Sequence, residues 1–191
     1  GDVLLWIAGK YQYLNFNEAA LIIGRAAVVE AGGLVVIKVA KIVGVALTPL
    51  SPAELTAFGN YINKIKYAGT QTQVISTAAD DLKLTLKLYY DPLVLDANGV
   101  LLTDAISKPV EIAINNYITQ LPFNGEMKLS ALTDAIQAAP GVKDTVILTA
   151  EAKYGLLPYT TIVDFYLPNA GYLAIDAGFP LNTSITYIAN V

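Results

Sequence analysis

The chain has 191 residues, of which 54% are hydrophobic and 15% charged, against roughly 45–50% and 25% in ordinary globular proteins, which excludes a disordered polymer. Twelve Lys and Arg stand against sixteen Asp and Glu, a net charge of -4, so no basic field draws in a phosphate backbone and nucleic acid is not expected as a partner. Cys and His are both absent, which removes thiol nucleophiles, Ser-His and Cys-His pairs, disulfides and the commonest zinc ligands.

The mean hydropathy is +0.50, yet the richest stretch, residues 34–47, is interrupted by Lys38 and Lys41. No window supplies the ~20 apolar residues of a spanning helix, so no membrane insertion is expected. The segment from Asp2 to Trp6 has no basic flank and the chain opens on Gly1, the expectation for a cut fragment rather than a secretory leader. An excess of apolar residues over charges points to surface buried against other subunits, hence a homo- or hetero-oligomer.

Residues 20–29 and 34–43 are rich in Val and Ile and flank Glu30-Ala-Gly-Gly33, a hairpin whose glycines supply positive φ. Ser51, Pro52 and Glu54 then form a helix start with a capping box. Leu55, Phe58, Ile62 and Ile65 follow on one face, and Gly69 is read as the stop. A short strand is predicted over 73–77. Over 82–90 the alternation is strict, with Leu82, Leu84, Leu86, Leu88 and Tyr90 on one face and Lys83, Thr85, Lys87 and Tyr89 on the other.

Asn98-Gly99 signals a hairpin between 93–95 and 100–102. A second helix is predicted over 107–120, carrying Val110, Ile114, Tyr117 and Leu121 and closed by Pro122. Ser130 is read as the cap of a shorter helix with Leu132 and Ile136, and Pro140-Gly141 breaks it before a strand over 142–152. Residues 160–167, 172–176 and 184–189 are β-prone. Phe58 and Ile114, Asn60-Tyr-Ile62 and Asn116-Tyr-Ile118, Ile65 and Leu121, and Gly69 and Gly125 all lie 56 apart, which fits either a repeated unit or any two amphipathic helices.

The expected class is α+β: two small strand-helix-strand units with antiparallel or mixed sheets and a β-rich C-terminal segment. The divisions are 1–19, the N-terminal segment of a truncated chain; 20–91 and 92–152, the two units; and 153–191, the C-terminal segment.

Asp80, Asp81, Asp91 and Asp96 could ligate Mg²⁺ in a nucleotidyl or phosphoryl transferase, since hard cations take carboxylates; as turn and strand-end residues they need no metal. Gly9-Lys10 lacks the spacing of a phosphate loop, no GxGxxG is present, and Asn182-Thr-Ser184 matches a glycosylation acceptor without a secretory leader. Among the twelve tyrosines, Tyr89, Tyr154, Tyr159, Tyr166 and Tyr172 could stack on sugars, making a carbohydrate-binding module the alternative function. Such rings also serve as strand cover or interface anchors.

The run from Ile106 through Tyr117-Ile118, with Leu121-Pro-Phe-Asn-Gly125, Leu129-Ser-Ala-Leu132, Ala135-Ile136 and Pro140-Gly-Val-Lys-Asp144, resembles the C-terminal part of baseplate J-like proteins of contractile phage tails. Upstream, Leu47 to Leu55, Tyr61-Ile62, Ala68-Gly-Thr70 and Val74-Ile-Ser76 look like the preceding family segment. The resemblance covers about residues 47–152 and implies a wedge component that is not an enzyme and needs no cofactor or metal. Its implied partners are other baseplate proteins and copies of itself, in a phage or prophage tail particle assembled in the bacterial cytoplasm. On this reading Tyr117, Phe123 and Val142 support the core, and Tyr159, Phe165 and Tyr172 make interface contacts.

Overall fold

A computed structural model of the chain describes residues 4–7, 9–13, 21–44 and 46–190. Within the expected segment 1–19, the described part is a hairpin of β1 (Leu4–Ile7) and β2 (Lys10–Tyr13) turning at Gly9; the rest of that segment, and Ala20, lie outside the described residues. The class is α+β, as expected.

A first sheet is built on β4 (Leu34–Val43), which pairs antiparallel with β3 (Arg25–Ala31). Gly32 and Gly33 form the connecting turn at φ 60° and 80°, a conformation that is strained for residues with a Cβ. β4 also pairs antiparallel with β5 (Ala46–Thr48) and parallel with β6 (Gln71–Ile75). A parallel pair needs a crossover, and α1 (Pro52–Ile65) is that crossover.

The α1 start is as predicted: Ser51 Oγ accepts from the Glu54 amide, and Glu54 Oε2 accepts from the Ser51 amide at 2.6 Å. Its end is not at Gly69. The helix stops at Ile65 because Lys66 turns to ψ 150° while its amide still reaches Ile62 O, and Gly69, at φ 86°, shapes the later turn into β6.

The second sheet is centred on β7 (Asp80–Tyr90), which pairs antiparallel with β9 (Val142–Lys153) on one side. On the other side lie β12 (Leu173–Ile175) and β13 (Ile185–Ala189), both parallel to β7. β10 (Thr160–Thr161) continues the sheet beyond β9. The central strand thus stands within residues expected to close the first unit, yet its partners come from both later segments. One sheet spans the expected divisions at 91/92 and 152/153.

Helices α2 (Pro109–Gln120) and α3 (Leu129–Gln137) contribute Val110, Ile114, Ile118, Leu132 and Ile136 to the core that buries Leu82, Leu84, Leu86 and Leu88. Fully burying each of those leucines contributes about 1.5–3 kcal/mol. α4 (Leu181–Ser184) leads into β13, and β8 (Met127–Lys128) pairs with β11 (Phe165–Tyr166).

Three local readings are corrected. Residues 93–95 and 100–102 do not form paired strands: Asn98-Gly99 turns as expected, with Gly99 at φ 74°, but the Asp96 carboxylate takes the Asn98 and Val100 amides and only the isolated bridge Leu95↔Leu101 remains. Ser130 is not a cap, because α3 begins one residue earlier with Lys128 in the cap position and no side-chain bond. The predicted strand 160–167 splits into β10 and β11, since its first residues pair with β9 and its later ones with β8.

Burial is uneven. Of 23 buried apolar residues among those described, Val39, Ala40 and Leu50 are the three that precede Asp80. α1 has no buried residue at all, so the first sheet and its helix leave most of their apolar side chains half-buried and some, such as Val28, Val43 and Ile65, exposed.

Candidate functional site

The polar chemistry of the chain gathers where the first sheet meets the C-terminal loop. Asp80 opens β7 with the same parity as Leu82 and Leu84, so the pleat turns its carboxylate inward, and it is 0% exposed. Burying a charge this fully requires hydrogen bonds, and three are present. Oδ2 accepts from the Tyr166 hydroxyl at 2.6 Å and the Asn169 amide at 2.7 Å, and Oδ1 accepts from the Ala170 amide at 2.9 Å. The Asp80 amide in turn donates to Tyr172 O at 3.0 Å. One residue therefore fixes the loop 166–172 by side chain and backbone together.

Lys38 reaches the same loop from β4, donating to Asn124 Oδ1 at 2.8 Å and Pro168 O at 3.2 Å. Burial lowers the Lys38 pKa, and the nearby Asp80 charge opposes that shift. Tyr166 is pushed well above the ordinary tyrosine value, first by burial and then by its bond to Asp80. Burial also raises Tyr172, with the Asp80 charge adding to it. The Tyr172 hydroxyl donates to Thr77 O at 2.9 Å and its ring stacks on Phe123 at 6.0 Å.

Beside this joint is a cavity of about 210 Å³ with Leu47, Ile118, Leu121, Pro168 and Tyr172 in its wall. The side chains of Asn115 and Thr119, also in the wall, are bonded to the backbone of α2. Both Asp80 carboxylate oxygens are thus engaged with the loop 166–170.

A second cluster clasps the C-terminal loop to the open face of the sheet. The Tyr159 hydroxyl donates to Asp176 Oδ2. Lys153 lies 3.4 Å from Asp81 and 3.3 Å from Asp176, with its ammonium 4.7 Å from the Tyr159 ring centre. Lys83 pairs with Glu151 at 2.9 Å and sits 4.5 Å from the Phe179 ring centre. The Tyr159 bond, then the Gly178 amide, lower Asp176; burial, then the bond to Asp176, raise Tyr159. Burial opposes the Lys153 charge, but bonds to Tyr159, Asp176 and Asp81 outweigh it and raise its pKa.

The four aspartates considered as metal ligands are thus dispersed. Asp80 binds the loop, Asp81 meets Lys153, and Asp96 holds its turn. Asp91 takes the Leu93 amide and Lys143, which lower its pKa in that order. Among the described residues no group of three or more His, Cys, Asp or Glu could hold a metal ion.

Of the residues expected at interfaces, Phe165 is 57% exposed, whereas Tyr159 and Tyr172 are half-buried and spend their hydroxyls within the chain. Tyr117, expected to support the core, packs against it and bridges α2 to Lys128, donating to its carbonyl and accepting from its amide. Val142 packs on the core and Phe123 on Tyr172. Of the remaining tyrosines, Tyr89 and Tyr154 are half-buried.

The exposed apolar surface is mainly aliphatic: Leu156, Leu157 and Val163 beside Phe165 in the C-terminal part, and Val28, Val43 and Ile65 in the first. Sequence reasoning missed the Asp80 joint and these aliphatics. Parity with the buried leucines was the available signal for Asp80, whereas continuous apolar runs such as Val35-Val-Ile37 carry no alternation that would sort their faces. Compared with known proteins, the chain matches no family model and no curated protein.

Proposed function

We propose that this chain is a structural component of a contractile-tail baseplate, a wedge part resembling the J-like proteins, which acts through protein–protein interfaces and carries out no reaction. The observation that supports the reading is the uneven burial. The first sheet and α1 hold apolar side chains such as Val28, Val43 and Ile65 more than half exposed, a surface suited to being covered in an assembly. The polar clusters tie the chain to itself, which suits a part that passes displacement from one neighbour to the next. Its partners on this reading are other baseplate proteins and further copies of the chain, within the tail particle.

The test is to purify contractile-tail particles from cells that encode the chain, identify their proteins by peptide mass spectrometry, and label them with an antibody to this chain. Label at the baseplate end is the expected result. Intact particles that lack the chain overturn the assignment.

A further inference from the structure

The second sheet ends in two unpaired edges that match each other. On one side β9 pairs with β7 along its length, but its outer edge is taken by β10 only at Glu151 and Ala152, with one more bond from the Ile162 amide to Ala150 O. Beyond Ala150 the chain departs toward β8, and a cleft of about 360 Å³ opens between Ile147, Leu148 and Thr149 on one wall and Val163 on the other. On the far side β13 pairs with β7 alone. Among the described residues no other strand pairs with the outer edge of β9 over 143–149 or of β13 over 185–189, and the Thr145 amide donates to Asp144 Oδ1 at 2.8 Å.

Each edge carries five consecutive uncharged residues, Thr145-Val-Ile-Leu-Thr149 and Ile185-Thr-Tyr-Ile-Ala189. Proteins that stay monomeric blunt such edges with charge, proline or bulges; neither run contains a charge or a proline, and on β9 Lys143-Asp144 precede the run and a bulge at Leu148 lies within it. β13 is parallel to β7 and β9 antiparallel to it, so a translated copy brings its β13 antiparallel to β9. This keeps the helix-covered faces aligned over 145–147 against 187–189, with Val146 opposite Ile188 and Ile147 opposite Tyr187, up to the bulge in β9 at Leu148. The alternative, β9 against β9 of a second copy about Val146, sets Asp144 opposite Leu148 and loses that match of uncharged runs.

We infer that the outer edge of β9 is a docking site for the outer edge of β13 from a second copy, extending the sheet from chain to chain. The contact is heterologous, so it builds rings or open strings rather than closed dimers. It rests on this sheet alone and stands whether or not the chain is a baseplate component.

The test uses Val146→Lys and Thr186→Lys, both at exposed positions, with folding checked by circular dichroism and mass read by light scattering over concentration. The wild type is expected to grow in mass beyond two chains. Each variant alone is expected to be monomeric, and an equimolar mixture to give a two-chain species, because one intact β9 edge meets one intact β13 edge. A monomeric wild type at every concentration overturns the inference. So does a Thr186→Lys variant that still dimerises alone, which would mean β9 pairs with itself, or a mixture that stays monomeric. Hydrogen exchange on the wild type gives a second reading free of any variant: amides over 145–149 and 185–189 should gain protection as concentration rises, and unchanged protection there refutes the contact.

Discussion

Replacing Asp80 tests whether one buried carboxylate holds the C-terminal loop. In Asp80→Ala the Tyr166 hydroxyl and the Asn169 and Ala170 amides all lose their acceptor. A buried donor left unpaired costs about 1–3 kcal/mol. The Ala170 amide belongs to a buried residue and incurs that cost fully, while Tyr166 is half-buried and Asn169 exposed, so water recovers part of theirs. The sum is about 4 kcal/mol, in the range for breaking a buried charged network. At roughly 2–4 °C per kcal/mol for a chain of this size, the melting temperature falls by about 8–16 °C.

Asp80→Asn keeps one oxygen but turns an NH₂ toward an amide, a single donor–donor conflict worth about 2 kcal/mol. Urea unfolding of both variants and of Tyr166→Phe, alone and combined with Asp80→Ala, checks the sizes and the coupling between the two groups. If Asp80→Ala lies within about 1 kcal/mol of wild type, or if Asp80→Asn is the more damaging change, the joint is not what holds the loop.

Three further outcomes are expected. Glu54 is held down to about 2 by its bond to Lys41 and then by the Ser51 amide, so its contribution is present above the ordinary carboxylate value and lost as pH falls toward 2; in Glu54→Gln that part of the acid limb is missing from melts run between pH 5 and 2. The Tyr187 hydroxyl is buried without a partner and burial pushes its pKa up to about 12. The unfolded chain therefore ionises first above pH 10 and stability falls from there toward 12, a fall that Tyr187→Phe should reduce while leaving stability at pH 7 equal or about 1 kcal/mol higher. Gly99→Ala places a Cβ 2.1 Å from the Tyr187 ring at φ 74°, which should cost about 2–3 kcal/mol by thermal melt; the same change at Gly33, where φ is 80° but nothing lies within 4 Å, should cost only the backbone strain of about 1 kcal/mol.

The sequence by itself determined the local elements whose causes are local. The capping box at Ser51, the Gly32-Gly33 turn and the alternation from Leu82 to Tyr90 each act within a few residues, so spacing alone reveals them. Partner choice was decided only by the tertiary structure. Leu82 to Tyr90 is a half-buried strand in any sheet, and nothing in its own residues says that it pairs with 142–153 and 185–189 rather than with the strands before it. The same holds for the candidate site. Asp80 lies next to Asp81 and is chemically identical, but one residue of pleat turns the first inward to three donors and the second outward to Lys153. Tyrosine composition promised a contact surface, yet whether a ring faces solvent or a neighbouring carboxylate depends on loops some 86 to 95 residues away in the chain, and contacts across such a separation leave no period in the sequence to read.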